Sequence, residues 1–241
     1  MKRSALVLAV VAFLFAATNL IAAPLISNGG FEAGFTGWTI TNQAGGSGNW
    51  FIQSGAFSPN GFSVPVPPGP THAAMSDTGG PGSHVLIQSF VVPAGVTSAT
   101  LSFDEFIGNR GASFASPNTL DFTAFPNQQA RVDILTGSAS PFSVAPADVL
   151  LNVFQTNPGD PLVSGYTTQS VDLSAFLAAH AGQTLQLRFS EVDNLGVFNF
   201  GVDNVSLQAT VAVPEPASIA VFGALIVGGA AFRLRRFKQA A

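Results

Sequence analysis

The feature that most limits the fold of this chain is a series of short apolar runs separated by glycine- and proline-rich turns. In residues 183–190, Leu185, Leu187 and Phe189 alternate with polar side chains, which is the pattern of a strand with one buried face. Comparable runs occur at residues 25–27, 36–41, 49–53, 84–92, 99–106, 130–135, 149–154, 165–173 and 197–207. One helical turn is expected at residues 173–180. About ten short strands in one domain predict an all-β jelly-roll β-sandwich.

The core and the binding loops follow from composition and spacing. The chain contains 22 phenylalanines, and we expect most of them, with Leu and Val, to fill the space between the two sheets. Three connections are longer than ordinary hairpin turns, at residues 54–70, 108–129 and 155–164. Long loops on a rigid sandwich are where binding groups usually lie.

Charge is distributed unevenly between the ends and the middle of the chain. Six of the 9 Lys and Arg residues lie in the terminal segments, namely Lys2, Arg3, Arg233, Arg235, Arg236 and Lys238. The middle retains Arg110, Arg131 and Arg188 against twelve carboxylates, a net charge of −9. Such a surface excludes nucleic-acid binding and suits divalent cations, which outside the cell means Ca²⁺. With no cysteine, the chain has no disulfide, thiolate metal site or cysteine nucleophile.

The N-terminus has the pattern of a signal peptide. Met1-Lys2-Arg3 is a charged start, residues 5–17 are apolar, and Leu20-Ile21-Ala22-Ala23 ends in small residues. We expect residues 1–23 to direct export and to be removed by cleavage after Ala22 or Ala23. Residues 24–212 then form the working domain.

The C-terminus has the pattern of a membrane segment. Pro214-Glu215-Pro216 precedes an apolar run over residues 217–232 and a basic cluster. As a helix the run spans about 24 Å, short for a bilayer but workable with basic flanks that remain cytoplasmic. Residues 213–241 resemble the PEP-CTERM sorting signal. The resemblance implies a processing motif at Pro214, Glu215 and Pro216, cut by a membrane-embedded cysteine protease, the exosortase. The alternative is an ordinary single-span anchor.

Two terminal motifs of the domain carry a second resemblance. Ser27-Asn28-Gly29-Gly30-Phe31-Glu32, followed by Gly37-Trp38, opens it, and Phe200-Gly201-Val202-Asp203-Asn204-Val205-Ser206-Leu207 closes it. Together with residues 84–90 and 101–103, these motifs resemble galactose-binding-like jelly rolls, including carbohydrate-binding modules. The resemblance implies neighbouring first and last strands and a structural Ca²⁺ held by Glu32, Asp203 and backbone carbonyls. The alternative is that Glu32 is a solvated charge beside a simple turn.

Carboxylate pairs offer the only route to catalysis. A glycosidase needs two carboxylates flanking a cleft. Adjacent Asp104 and Glu105 point to opposite faces of a strand, whereas Glu191 and Asp193 share one face or form part of a turn at the end of a strand. His72, His84 and His180 have no metal or triad spacing. We therefore expect no enzyme; the alternative is a glycoside hydrolase that uses Glu191, Asp193 or Glu105 on exported polysaccharide.

Three side chains are candidates for ligand binding. Trp50 and Tyr166 are aromatic surfaces for stacking on a sugar ring, and Arg110 in the long loop, beside Asn109, offers hydrogen bonds to hydroxyls or a uronic carboxylate. The alternative is that Trp50 belongs to the core and Tyr166 is a strand residue.

These features predict a non-catalytic exported surface or extracellular-matrix protein that associates with exopolysaccharide. We expect an inner-membrane tethered intermediate, followed by exosortase processing and delivery to the cell surface or matrix. A purely adhesive or self-assembling role is a further alternative.

Overall fold

A computed structural model describes residues 19–77 and 79–213. Within them lie eleven strands and one short helix: β1 (Asn19–Pro24), β2 (Thr39–Asn42), β3 (Asn49–Gln53), β4 (Ala73–Asp77), β5 (Gly82–Val91), β6 (Val96–Asn109), β7 (Gln129–Thr136), β8 (Val149–Gln155), β9 (Thr167–Asp172), α1 (Ser174–Ala179), β10 (Thr184–Asp193) and β11 (Phe198–Val213). Residues Ala22–Val211 form one compact unit. The start of the predicted signal peptide and the predicted sorting segment, residues 1–18 and 214–241, lie outside the described residues.

The strands form two sheets. Sheet A has the order β3-β4-β11-β6-β9, with β1 also pairing with β11, and sheet B has the order β2-β5-β10-β7-β8. Neighbouring strands from β2 to β11 run antiparallel. From β4 onward the chain changes sheet at nearly every connection, as in a jelly roll. The predicted all-β sandwich is confirmed.

The core lies between the sheets and is rich in phenylalanine. Phe103 of sheet A meets Phe189 of sheet B edge to face, with ring centroids 5.4 Å apart. Phe189 also faces Phe200, with centroids 6.5 Å apart. Leu185 and Leu187 are buried on the same face. The alternation in residues 183–190 therefore predicts the inner face of β10 correctly.

The other face of β10 is buried too, which the alternation does not predict. Arg188 is 0% exposed. Loop residues cover this outer face of sheet B, where Leu120, Phe122 and Phe142 are packed with the apolar side chains of β5 and β10. The reason is that two long connections fold back onto the sheet, so polar residues on its outer face lose their contact with water.

One strand was not predicted and one strand prediction is wrong. The sequence gives no sign of β4, which has no alternation because all five of its residues are buried. Residues 25–27 are not a strand, although Leu25 N donates to Leu207 O at 2.8 Å. The predicted helical turn is confirmed as α1.

No helix within residues 19–77 and 79–213 is both long and apolar enough to cross a membrane. The predicted span at residues 217–232 lies beyond that part of the chain.

Candidate functional site

The outer face of sheet A carries a groove between two loops. Phe106 of β6 and Met75 of β4 form a small apolar cluster there with Val64 of the 54–70 loop, and Phe51 and Tyr166 pack against it. Beside this cluster is a cavity of about 410 Å³. Its walls are Ser63, Val64, Pro65, Phe106, Gly108, Arg110, Val163, Ser164 and Gly165.

Arg110, which the sequence predicts as a ligand-binding residue, lines this groove. Its Nη1 donates to Asn199 Oδ1 at 2.6 Å and to Gly108 O at 3.0 Å, and its Nη2 donates to Ser63 O at 3.0 Å. The guanidinium carbon lies 4.3 Å from the centre of the Phe62 ring. Partial burial lowers the pKa of Arg110, and the charge of Asp77 opposes this change. These contacts fix the side chain and use three of its five N–H groups.

Tyr166 lies behind the groove rather than in its wall. Its hydroxyl donates to Gln53 Oε1 at 2.9 Å, and its ring centroid is 5.8 Å from that of Phe106. Burial, followed by the charges of Asp203 and Asp104, raises the pKa of this phenol, so it stays neutral. Tyr166 is therefore half-buried against the ring of Phe106 and does not line the groove.

The prediction that Trp50 stacks on a sugar is wrong. Trp50 lies on the inner face of β3, is 2% exposed, and meets Phe200 edge to face at 5.9 Å. Only some residues of β3 are exposed to solvent, and Trp50 is not one of them, because its indole belongs to the core between the sheets. The alternative interpretation, a core tryptophan, is the correct one.

The Glu32 carboxylate accepts hydrogen bonds from two adjacent residues, Thr71 and His72. Oε1 accepts from the N–H groups of Thr71 and His72, both at 3.0 Å, and Oε2 accepts from the Thr71 hydroxyl and pairs with His72 Nδ1 at 3.0 Å. The Thr71 hydroxyl first, then its N–H and the His72 ring, hold the pKa of Glu32 at about 2. Two backbone N–H groups donate to Oε1, whereas the Thr71 hydroxyl and the His72 ring, which lie 2.8 Å from each other, both contact Oε2.

Asp203 lies close to Glu32 but is held by other groups. Its Oδ2 accepts from Gly69 N at 2.8 Å and its Oδ1 from Asn204 N at 2.7 Å. A Cβ at Gly69 would lie 2.7 Å from Oδ2, so only glycine allows this approach. Burial, then the charges of Asp104 and Glu32, raise the pKa of Asp203 to about 6 despite these hydrogen bonds.

The pair predicted to hold Ca²⁺ stays a prediction. Glu32 accepts hydrogen bonds from Thr71 and His72, and each oxygen of Asp203 accepts one, from Gly69 N or from Asn204 N. Within residues 19–77 and 79–213, no three His, Cys, Asp or Glu side chains are placed to share a metal ion. No function of this chain is derived from a metal at Glu32 and Asp203.

The carboxylates proposed for a hydrolase are buried. Of the two alternatives for Glu191 and Asp193, a shared face rather than a turn is correct: both lie on the inner face of β10, but they are 0% and 2% exposed. Glu105 is 4% exposed and accepts from Gln169 Nε2 at 2.8 Å, and burial raises its pKa to about 7. Asp104 points to the opposite face, where it accepts from Asn204 Nδ2 at 2.7 Å. A polysaccharide has no open cleft between these carboxylates, so they do not form the predicted glycosidase pair.

Comparison with known proteins gives similarity of fold only. No protein-family model matches the chain, and no curated protein sequence matches it significantly. Among solved structures, TmCBM61 in complex with β-1,4-galactotriose is 11% identical, with 79% of this chain and 99% of that chain covered and a TM-score of 0.45.

Two further solved structures are similar at the same level. The Stig cyclase Fisc from Fischerella sp. TAU is 21% identical, with coverage of 80% and 100% and a TM-score of 0.47. The K3 cleaved adhesin domain of Lys-gingipain from Porphyromonas gingivalis W83 is 14% identical, with coverage of 77% and 98% and a TM-score of 0.47. No residue of this chain is assigned a role from these likenesses.

Sequence reasoning missed two exposed apolar side chains in the loops around the groove. Val163 lines it and is 62% exposed, and Phe57, in the 54–70 loop, is 68% exposed. Both lie in segments predicted as long loops, so loop length was the available signal. Nothing in the sequence separates these two from the apolar residues that the same loops bury.

Proposed function

We propose that this chain is an exported, non-catalytic carbohydrate-binding protein whose ligand site is the groove on the outer face of sheet A. The observation that carries the proposal is the fixed guanidinium of Arg110 in the wall of a groove that also presents the exposed side chain of Val163 above the buried ring of Phe106. Sugars combine apolar faces with rings of hydroxyls, so a site of apolar surface and a few fixed polar groups suits them.

Charge favours a neutral glycan over a uronic acid polymer. Arg131 and Arg188 are buried and bind Asp133, at 2.7 and 2.6 Å. Arg110 is therefore the arginine of the 24–212 domain that reaches the surface, against the six of its twelve carboxylates that are not buried. An acidic polymer would meet this net charge along its whole length. Hydroxyl oxygens accept hydrogen bonds from Arg110 without that repulsion.

The binding test uses the full-length chain on a glycan array, followed by titration of the glycan it retains. Arg110→Ala removes a charged donor and should weaken binding by roughly 10- to 100-fold. Val163→Ala should weaken it by roughly two- to tenfold through lost apolar contact. Val91→Ala is the matched control, because Val91 is 61% exposed on β5 of the other sheet. The groove would be refuted as a sugar site if the chain retained no glycan on the array. It would also be refuted if Arg110→Ala and Val163→Ala bound the glycan as tightly as the control Val91→Ala.

The delivery route is a separate part of the proposal. It rests on the signal-peptide pattern of residues 1–23 and the Pro214-Glu215-Pro216 motif with its apolar run and basic end. An exosortase would cut near the motif and pass the domain from the inner membrane to the cell surface or matrix. The intact mass of the protein recovered outside the cell tests this. A chain that still carries residues 217–241 would show that the segment is a permanent anchor.

A further inference from the structure

One end of the sandwich interior holds an acidic pocket that the groove does not use. Glu191 lies on the inner face of β10, one inward position beyond Phe189, and Asp193 follows it on the same face. Both oxygens of Glu191 are buried, and neither has a hydrogen-bond partner among residues 19–77 and 79–213. A buried carboxylate without a partner destabilises a fold, so its presence calls for an occupant.

The groups around Glu191 supply no compensating positive charge. Across the strand pair is His84, whose Nε2 lies 2.9 Å from Ser47 O and whose Nδ1 lies 2.9 Å from Asn42 Oδ1. Burial lowers the pKa of His84 to about 4, so its ring is neutral. Burial first, then the charge of Asp193 and, more weakly, that of Asp77, raises the pKa of Glu191. The Ser76 hydroxyl of β4 lies near enough to offset part of this rise, but it makes no hydrogen bond of normal geometry to either oxygen.

A cavity lies beside Asp193 at the end of the sandwich. It measures about 240 Å³, and its walls are Gly80, Pro81, Asp193, Asn194, Gly196 and Val197. Asp193 accepts from Gly82 N at 2.9 Å through Oδ1. Asp193 therefore contacts the cavity, which has room for several water molecules, whereas Glu191 follows on the inner face of the same strand and does not line it.

We propose that Glu191 and Asp193 form a binding site for a divalent cation, Ca²⁺ in an extracellular setting. The ligands are hard oxygens, which Ca²⁺ prefers, and the cavity beside Asp193 supplies water to complete six to eight positions. Only two carboxylates take part, which matches a weak site of the kind found in extracellular modules, with dissociation constants of about 10⁻⁴–10⁻³ M. Mg²⁺ is disfavoured because it demands strict octahedral geometry at shorter distances.

The site is independent of the sugar groove and differs from the predicted pair of Glu32 and Asp203. Glu32 accepts hydrogen bonds from Thr71 and His72, whereas neither oxygen of Glu191 has a hydrogen-bond partner among the described residues. A cation at the pocket would remove the electrostatic penalty of two neighbouring buried carboxylates. It would also tie the β10–β11 turn to the body of the sandwich.

The test follows thermal unfolding of the full-length chain while Ca²⁺ is titrated to several millimolar at pH 8. We expect Tm to rise with Ca²⁺ and to respond little to Mg²⁺. Glu191→Gln is isosteric, and both it and Asp193→Asn should weaken the Ca²⁺ response at least tenfold. Glu32→Gln is the matched control and should respond as the unmodified chain does.

Terbium luminescence locates the ion. Trp50 is the cross-strand partner of Ser76, so indole excitation should sensitise Tb³⁺ bound beside Glu191. Ca²⁺ should displace this emission, and Trp50→Phe should abolish it while leaving the Ca²⁺ effect on Tm. Three results would overturn the proposal: no response to Ca²⁺ in the unmodified chain, an unchanged response in Glu191→Gln, or loss of the response in Glu32→Gln. The first would mean that the two carboxylates only share a proton.

Discussion

Replacing Asp133 by Asn is the substitution with the largest expected effect on folding. Asp133 is fully buried on the outer face of sheet B, where Arg188 Nη2 donates to Oδ2 at 2.6 Å and Arg131 Nη2 donates to Oδ1 at 2.7 Å. Asn152 Nδ2 donates to Oδ1 as well, at 2.8 Å. Asparagine keeps the shape of the side chain but removes the charge and replaces one acceptor with a donor that faces other donors.

The expected loss follows from the two arginines that remain. Breaking a buried ion pair by removing one partner costs about 3–5 kcal/mol, because an uncompensated charge is left inside. For a domain of this size, that corresponds to a decrease in Tm of roughly 6–20 °C. Arg188 also donates to Pro141 O and Ser143 O, at 2.8 and 2.7 Å, so the β7–β8 loop should loosen with it.

The measurement is urea and thermal unfolding of Asp133→Asn beside Asp148→Asn, which makes the same chemical change at a half-buried position. Burial raises the pKa of Asp133, but hydrogen bonds and charges from Arg131 and Arg188 outweigh it, and the net direction is down. The stabilisation is therefore present above the ordinary carboxyl pKa and lost as pH falls toward the lowered one. A loss below about 1 kcal/mol at pH 7 would refute the reasoning.

Two further predictions concern the residues that the terminal motifs and the aromatic pattern singled out. Trp50→Phe should lower stability by about 1–3 kcal/mol through a core cavity, yet leave glycan affinity unchanged, which titration of the retained glycan would show. A loss of glycan affinity in Trp50→Phe would show that Trp50 contributes to the binding site after all. Glu32→Gln should speed amide hydrogen exchange at Thr71 and His72, because their N–H groups lose a charged acceptor. The difference should fade as pH falls toward the Glu32 pKa of about 2, and equal exchange at pH 7 would contradict it.

The sheets could be predicted from the sequence because alternation and turn residues are local signals. Residues 49–53 match β3, and the run at residues 149–154 matches all but one residue of β8. β4 could not be found, since a strand buried on both faces carries no period-2 pattern.

The site was only partly predictable, because burial depends on which loop covers which face. Arg110 was predicted from its place in a long loop, and the structure puts it in the groove wall. Trp50 and Glu191 look exposed beside glycines and turn residues in the sequence, yet the sheets enclose both. Val163 and Phe57 show the reverse, since apolar loop residues normally suggest burial.

Hydrogen exchange of the full-length chain, with and without the glycan it retains, tests the location of the sugar site most directly. Bound glycan should slow exchange in the two segments that wall the groove, residues 63–65 and 163–165, and leave the Gly79–Pro81 end unchanged. Protection confined to that end of the sandwich, or no protection in either groove segment, would contradict binding on the outer face of sheet A.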